Sequence, residues 1–347
     1  MALAGELAAH EWIGVDTEFL RERTFFPKLC LLQLKAGAQI WCIDTLRVGS
    51  LEPLMPALTG SATRKVIHAA RQDLEAVYLT GKRVMSPVFD TQIAAGCSGL
   101  KPQAGYAELV KTLLDITVPK GQTRTDWSKR PLSREQLVYA ADDVLYLGDL
   151  ADLLQQRLRA LGREHWVAED CLALQDKQLY EPDPAQAWIR LRGIAQLAPA
   201  CRARVKAIAI WREKVARQRD LPRAWIVADP VIFAIAQANP ASAAALQAVH
   251  AMNEGFAASI LDALRDAAND VTDQEPSQDG RPTPAQKASI ERLAKFVDAR
   301  AAELDVSAEI LAPRGEIKAL VMGRRDSHAL SGWRKDVIGT QLLEALD

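Results

Sequence analysis

The sequence is poor in cysteine, and its few cysteines are scattered. The five of them, at positions 30, 42, 97, 171 and 201, include no Cys-x-x-Cys pair. Neither a zinc site nor a disulfide framework is therefore predicted. A free cysteine packs like a small apolar residue, and we expect the five to be buried.

The sequence also lacks a long apolar run and a net charge of either sign. No uninterrupted stretch approaches the roughly 20 apolar residues of a membrane span. The first residues, MALAGELAAHEW, lack the basic region of a secretory signal. We therefore expect a cytoplasmic protein without membrane contact. The 43 basic and 44 acidic side chains leave a net charge of −1, so affinity for nucleic acid would have to come from local patches.

The composition is typical of a globular protein with more than one domain. Apolar residues make up 49% and charged residues 25% of 347 residues, which leaves room for two or three domains. Short apolar runs at 12–15, 30–34, 40–43 and 66–69 predict strands. Helical patterns at 51–58, 74–78, 105–114 and from 133 onwards lie between and after them. Residues 1–163 are therefore predicted to form an α/β domain.

Beyond residue 163 the strand signal nearly disappears, and alanine, leucine, arginine and glutamate recur at helical spacing. We predict a connecting segment at 164–185, a helical domain at 186–265 and another at 285–347. The polar, proline-bearing stretch 266–284 is predicted to be a linker. Between positions 202 and 223 eight basic residues stand against two acidic ones. This stripe could contact phosphates, or it could be the solvated face of a helix.

Three acidic residues lie within or shortly after predicted strands. Asp16 and Glu18 lie at i and i+2 of the first strand, so their side chains leave the same face of the sheet. A strand end emerging into solvent would explain this pair alone. Asp73 is expected in the first turn of the helix that follows the fourth strand, where the helix dipole alone favours a carboxylate.

A fourth acid shares a helix with a tyrosine. In SREQLVYAADDVLYL, Ser133 and Gln136 predict a capping box, which places Tyr139 and Asp143 at i and i+4 on one stripe. Asp142 also lies within one turn of Tyr139. The spacing alone therefore does not choose between the two aspartates.

Convergence of these four carboxylates would require cations. Two like charges about 4 Å apart repel by roughly 4 kcal/mol at an effective dielectric near 20, and four carboxylates contain several such pairs. Carboxylate oxygens are the ligands that Mg²⁺ and Mn²⁺ prefer. Two divalent cations would neutralise the group.

Three segments carry a resemblance to a known family. DTEF at 16–19, HAARQD at 68–73 and YAADD at 139–143 resemble the three motifs of the DEDD exonucleases, in the subgroup with tyrosine in the third motif. Within that subgroup the chain is most similar to the ribonuclease D family. DTEFLRERTFFPKLCLLQL, FDTQIAAG and RTDWSKRPLSREQLVYAADDVLYL extend the resemblance over the whole first domain.

The resemblance implies a ribonuclease H-like (DnaQ-like) fold with a mixed sheet, and the activity of a 3′–5′ exoribonuclease. It implies that Tyr139 positions water and that two divalent cations, Mg²⁺ or Mn²⁺, act on both oxygens of an in-line displacement, releasing nucleoside 5′-monophosphates. It assigns the metal-binding role to four carboxylates: Asp16, Glu18, Asp73 and Asp143. Asp142 is then an additional acid.

Other residues of the first domain are candidates for binding substrate. Phe19 could stack on the terminal base, although an aromatic beside a strand is more often in the core. His68 is expected to be a hydrogen-bonded structural histidine that could also support the site. The loop before the third motif is basic and lies where phosphates would pass, although a solvated loop would have the same composition: Lys120, Arg124, Lys129 and Arg130.

The helical half resembles nucleic-acid-binding modules. The segment 186–259 is similar to an HRDC domain, and 285–347 to a second, more divergent HRDC-like unit. By resemblance, these units would hold RNA with a free 3′ hydroxyl, such as transfer RNA precursors. We also expect the protein to act as a monomer. Two alternatives remain: a DNA exonuclease of the same chemistry, or an RNA-binding scaffold without activity.

Overall fold

The computed structural model describes residues 2–119, 121, 125–269 and 282–346. Within these residues, five strands and eight α-helices occupy the first half of the chain. The strands are β1 Trp12–Leu20, β2 Lys28–Ala36, β3 Gln39–Ile43, β4 Arg64–Ile67 and β5 Val88–Asp90. The helices are α1 Ala2–Ala8, α2 Met55–Thr59, α3 Arg71–Gly81, α4 Thr91–Cys97, α5 Tyr106–Leu114, α6 Arg134–Leu145, α7 Leu147–Leu161 and α8 Glu164–Ala173.

Within the described residues, the second half is helical, as its composition predicts. Its α-helices are α9 Pro199–Arg219, α10 Arg223–Ile226, α11 Asp229–Ala238, α12 Ala243–Val249, α13 Glu254–Asn269, α14 Pro284–Glu303, α15 Ala308–Leu311, α16 Arg314–Val321, α17 Gly332–Arg334 and α18 Thr340–Glu344. Residues 266–269, which we expected in a linker, are the last turn of α13. Residues 270–281 of that predicted linker lie outside the described part of the chain.

The sheet is mixed, as expected, and β1 is its central strand. Its order is β3-β2-β1-β4-β5, with antiparallel pairs from β3 to β1 and parallel pairs from β1 to β5. The four predicted strands are confirmed. The fifth strand, β5, was missed because three residues are too short to show a periodic pattern.

Alternation along β1 sends its side chains to two different layers. Ile13 and Val15 are fully buried in the cluster formed with Leu74 of α3. Gly14 lies on the opposite face, where a Cβ would be 3.4 Å from the carbonyl oxygen of Val144. Asp16 and Glu18 continue the face of Gly14, so they project toward the layer that holds α6 and α7.

A glycine allows α7 to approach this face closely. A Cβ at Gly148 would lie 1.9 Å from Cη2 of Trp12, so any larger residue would displace the indole. The junction of α6 and α7 is therefore fixed against the start of β1, which carries the acidic pair.

By backbone contacts the chain divides into two compact units. The first contains Met1–Leu20, Pro27–Tyr180 and Thr283–Asp347, and the second contains Arg21–Phe26 and Glu181–Pro282. The last segment thus groups with the sheet and its helices. Trp166 of α8 stacks on Trp333 at 4.0 Å between ring centroids, and Arg334 forms two hydrogen bonds with Asp170.

The second unit is a helical domain with its own core. Val205 and Ile208 of α9 are fully buried together with Ile232 and Ile235 of α11 and with Ile260 of α13. Apolar residues three or four positions apart on each helix form this core, as expected of amphipathic helices.

All five cysteines are free, and those at 30, 97 and 171 are buried. None of the helices in the described ranges has the length and apolar character required to cross a membrane.

Candidate active site

Three carboxylates from two elements meet on one face of β1. Asp16, Glu18 and Asp143 each offer an oxygen, and these atoms all lie within 4.8 Å of one another. The predicted convergence of the strand pair with α6 is therefore present in the structure. Asp142 is not in this group, so the structure selects Asp143 from the adjacent aspartates.

The start of α6 is fixed by the predicted capping box. The Ser133 side chain accepts a hydrogen bond from the Gln136 amide, and the Gln136 side chain accepts one from the Ser133 amide. The end of the helix is fixed by Tyr106, whose hydroxyl donates to the Asp142 carbonyl and accepts from the Tyr146 amide. Asp143 lies between these two anchors.

Tyr139 lies one turn before Asp143, as predicted. Its hydroxyl hydrogen-bonds with the Asp143 carboxylate, which partly offsets the rise that burial causes in the pKa of that carboxyl group. The ring packs beside Trp127 with centroids 6.1 Å apart. Packing from one side and a hydrogen bond at the tip together fix the position of the hydroxyl.

Asp73 is held by Thr17, whose side chain lies on the opposite face of β1 from those of Asp16 and Glu18. It lies in the first turn of α3 and is 7% exposed. The hydroxyl of Thr17 donates to Asp73 Oδ1 at 2.5 Å. Asp73 does not belong to the group within 4.8 Å, although its charge acts on both Asp16 and Glu18.

The cluster is electrostatically unfavourable in the absence of a cation. Burial, followed by the charges of its acidic neighbours, raises the pKa of Asp16 well above its ordinary value. Burial and the charges of Asp143 and Asp73 raise the pKa of Glu18 to about 8. Burial also raises the pKa values of Asp73 and Asp143 to about 7.

The residues present fit a divalent cation. Their oxygens converge, and burial and mutual repulsion disfavour the charged forms that a cation would stabilise. Gln33 of β2, opposite Asp16, donates through Nε2 to Asp16 Oδ2 at 3.3 Å. This amide supports the orientation of Asp16, and no local sequence pattern predicted its role.

A further carboxylate, Asp90, supports the site and was also missed. It is 3% exposed, and its two oxygens accept hydrogen bonds from four backbone amides, of Ala69, Ala70, Gln92 and Ile93. Ala69 has a φ of +57°, which is strained for alanine. Asp90 thus stabilises the turn that leads into α3 and Asp73.

His68 is a hydrogen-bonded structural residue, as expected. Nε2 donates to the carbonyl of Ala104 at 3.0 Å, since a carbonyl can only accept, and Nδ1 accepts from the hydroxyl of Thr91 at 2.9 Å. Burial lowers its pKa, against the opposing charge of Asp90. Phe19 is half-buried and packs against the cluster that contains Val15.

The basic loop does not present all of its cations to solvent. Arg130 forms two hydrogen bonds with Asp44 and donates to the carbonyl of Cys30. Its guanidinium is thus occupied within the protein, and a role in binding substrate has no support from this geometry. Lys129 is exposed. Lys120 and Arg124 lie outside the described residues.

The cationic stripe of the second unit is partly an internal network. Four of its arginines bond to groups of the same unit: Arg204 to the carbonyl of Ala236, Arg212 to Asp229, and both Arg217 and Arg223 to Glu213. Lys214 is exposed. Neither the phosphate-binding nor the solvated-face interpretation therefore describes the whole stripe.

Comparison with known families gives two matches along the chain. The family model described as a 3′–5′ exonuclease matches residues 2–159, and the HRDC domain model matches residues 202–265. The first match contains the carboxylate cluster, and the second lies in the helical second unit.

Curated relatives and a solved structure extend the similarity to the full chain. Ribonuclease D of Acidiphilium cryptum is 37% identical over 354 residues, covering 99% of this chain and 89% of that protein. Ribonuclease D of Xanthomonas oryzae pv. oryzae is 37% identical over 339 residues, covering 96% and 93%. The crystal structure of Escherichia coli RNase D, described as an exoribonuclease involved in structured RNA processing, has a TM-score of 0.88 and 27% identity, covering 99% of this chain and 95% of that one. With identity above 30% over nearly its whole length and a carboxylate cluster in its exonuclease domain, the chain belongs to the ribonuclease D family of 3′–5′ exoribonucleases.

Proposed function

We propose that this protein removes nucleotides from the 3′ end of RNA as nucleoside 5′-monophosphates, and that Mg²⁺ or Mn²⁺ held by its carboxylates is required. The observation that carries the proposal is the convergence of Asp16, Glu18 and Asp143 within 4.8 Å in a domain that matches 3′–5′ exonucleases. The repulsion within this cluster is the physical reason for a cation.

Two cations, when bound, would supply charge stabilisation at the attacking and leaving oxygens of an in-line displacement at phosphorus. The cations would be held by Asp16 and Glu18, on one face of β1, and by Asp143 of α6, which lies against that face. Asp73 would complete the set from the N-terminal turn of α3. Thr17 favours the charged form of Asp73, because its hydroxyl donates to the carboxylate.

Tyr139 would orient the attacking water. Its hydroxyl is already directed to the metal-binding Asp143, and its ring is packed beside Trp127. Such a fixed hydroxyl can hold water in line with the scissile bond at little entropic cost. The exposed Lys129 is the remaining described candidate for a phosphate contact from the basic loop.

The helical residues would hold the substrate. We propose a catalytic domain at 1–163, a connecting segment at 164–185 and an HRDC domain at 186–265, supported by the HRDC match at 202–265. Residues 285–347 would be a second, HRDC-like unit that has become part of the first compact unit. The proposed substrates are structured RNAs such as transfer RNA precursors, and the proposed active form is a monomer.

The test is digestion of a 3′-labelled single-stranded RNA with and without Mg²⁺ or Mn²⁺. Release of labelled nucleoside 5′-monophosphate that chelation stops, and that a 3′ phosphate on the RNA blocks, is the expected result. Absence of release with either metal would contradict the proposal. A matched DNA oligonucleotide distinguishes the DNA exonuclease alternative, which predicts equal or faster digestion of DNA.

A further inference from the structure

The connection between β1 and β2 belongs to the helical unit. β1, which carries Asp16 and Glu18, ends at Leu20, and β2 begins at Lys28. The intervening residues Arg21–Phe26 group with Glu181–Pro282, whereas both strands group with the first unit. A hairpin connection is usually an exposed loop. This one is an integral part of another core.

Phe25 anchors the connection. It is 6% exposed and lies in the apolar cluster that contains Val205 and Ile208 of α9. Phe26 packs edge-on against it, with ring centroids 4.8 Å apart. Burial of an aromatic side chain of this size stabilises the position of a short loop.

Asp220 fixes the backbone of the same residues. It ends α9 in the left-handed conformation with a φ of +49°, and its Oδ1 accepts hydrogen bonds from the amides of Phe25 and Phe26, both at 3.0 Å. A carboxylate that accepts from two neighbouring amides determines both the position and the direction of the chain between them.

Two arginines complete the anchor. The guanidinium carbons of Arg223 and Arg217 lie 4.4 Å and 5.6 Å from the centroid of the Phe25 ring. Both arginines are held by Glu213, which is 2% exposed. The two cations beside the ring are therefore themselves held in place by Glu213.

β1 needs such an anchor near Asp16 and Glu18. The pairing of β1 with β2 changes register between Glu18 and Phe19. A bulge at this point interrupts the ladder and lets the strand bend. The position of the Glu18 carboxylate then depends on what holds the chain after Leu20, and Phe25 follows Glu18 by only seven residues.

We propose that Phe25 and Asp220 are positioning residues for the hydrolytic reaction, through which the helical unit holds the β1–β2 connection and thereby sets the geometry of Asp16 and Glu18. This inference rests on the proposed role of these two acids. It gives the helical unit a part in the catalytic step, in addition to any part in holding RNA. Binding alone would not require the connection to be buried in the helical core.

The test compares kcat and KM of full-length variants on a dinucleotide and on a long structured RNA, at saturating Mg²⁺. Asp220→Gly removes the acceptor but keeps the left-handed end of α9 unstrained, because glycine tolerates a positive φ. Asp220→Asn keeps one acceptor oxygen. The matched control is Asp115→Gly, since Asp115 also ends a helix with a left-handed φ of +58° and its side chain is 92% exposed.

The expected result is a fall in kcat of about tenfold or more on both substrates for Asp220→Gly, with KM on the dinucleotide changed less than about twofold. Asp220→Asn should recover most of the rate, and Asp115→Gly should match the wild type. Unchanged kcat on the dinucleotide, with KM raised only on the long RNA, would overturn the inference.

A second variant covers the case in which Asp220→Gly does not fold. Phe25→Leu keeps an apolar side chain in the cluster but loses the ring beneath the two arginines. It should also lower kcat on the dinucleotide, and wild-type kcat in this variant would overturn the inference. If the wild-type protein itself releases no nucleotide from either substrate, the proposed function fails, a result distinct from every variant outcome.

Discussion

Thr17 on β1 donates a 2.5 Å hydrogen bond to Oδ1 of Asp73 on α3. The two residues are 56 positions apart, and the bond is buried. It links the strand that carries the Asp16 and Glu18 carboxylates to the helix that carries the acid of the second motif. Thr17 therefore joins the two sides of the site, although its side chain faces away from Asp16 and Glu18 on the same strand.

Replacing Thr17 with valine should change the pH dependence of activity. The hydroxyl lowers the pKa of Asp73, so its loss raises that pKa further, and a protonated carboxyl does not bind a cation. The acidic limb of the kcat/KM profile should then move to higher pH. Thr17→Ser keeps the donor and serves as the control. Identical profiles for the valine variant and the wild type would refute this role.

The metal-free protein should become less stable as pH rises. Glu18, with a pKa of about 8, and Asp143, with a pKa of about 7, hold protons in the folded state that they lose near pH 4 when unfolded. Between about pH 4 and 8 the folded state thus binds more protons, and the free energy of unfolding falls with increasing pH. Thermal unfolding in a chelator, at intervals from pH 5 to 8, measures the slope.

The same thermal unfolding measurement on Asp143→Asn shows how much of the pH dependence of stability comes from the carboxylate cluster. Removing one charge should make the slope of the free energy of unfolding against pH shallower and should raise the Tm of the metal-free protein at pH 8. An equal slope in the variant would show that other groups cause the pH dependence. Asp142→Asn, one position away and outside the cluster, should make the slope shallower by less than Asp143→Asn does, because Asp142 contributes mainly by raising the pKa of Asp143.

Tyr139→Phe should lower kcat by roughly 100-fold, because loss of the hydroxyl leaves the water without an orienting group. Metal affinity should change little, since the three converging carboxylates remain. Steady-state kinetics at several Mn²⁺ concentrations separates the two effects. A wild-type kcat would remove Tyr139 from the reaction, and a large rise in the Mn²⁺ requirement would reassign it to metal binding.

Asp90→Ala should affect both folding and activity. It leaves four amides without their acceptor, at a cost of roughly 1–3 kcal/mol for each buried group that water does not reach. The turn before α3 should relax, and Asp73 should move with it. Chemical denaturation should show lower stability, and kcat should fall even at temperatures where the variant is folded. A folded variant with full activity would show that this turn does not position Asp73.

Trp333→Ala should destabilise the first compact unit by roughly 3–5 kcal/mol, because Trp333 is 2% exposed and stacks on Trp166. Intrinsic fluorescence during denaturation would detect the earlier unfolding. Loss of stability below about 1 kcal/mol would contradict the packing. Truncation of the C-terminal segment is for the same reason a poor test of RNA binding, since it would uncover the core of the first unit.

Local patterns in the sequence predicted much of the fold. The alternation in β1, the acid in the first turn of α3 and the capping box of α6 each depend on a few neighbouring residues, and all three are confirmed. The convergence of Asp16, Glu18 and Asp143 was implied by the family resemblance, and electrostatics added that converging carboxylates would need cations.

The parts that were missed depend on distant contacts. Arg130 was a candidate for binding phosphate, and its contact with Asp44, which lies 86 positions away in the sequence, could not be predicted. Asp90 could not be recognised as the acceptor for the turn at Ala69, because β5 is only three residues long and bears no pattern. The burial of Phe25 in the helical core likewise has no local signature.

The proposed metal site predicts that the three converging carboxylates bind a divalent cation. Titration calorimetry with Mn²⁺ tests it most directly, on wild-type protein, Asp143→Asn and the control Asp142→Asn at one pH. The wild type and the control should show saturable Mn²⁺ binding, and Asp143→Asn should bind Mn²⁺ at least tenfold more weakly. Equal Mn²⁺ affinity in all three proteins would contradict it.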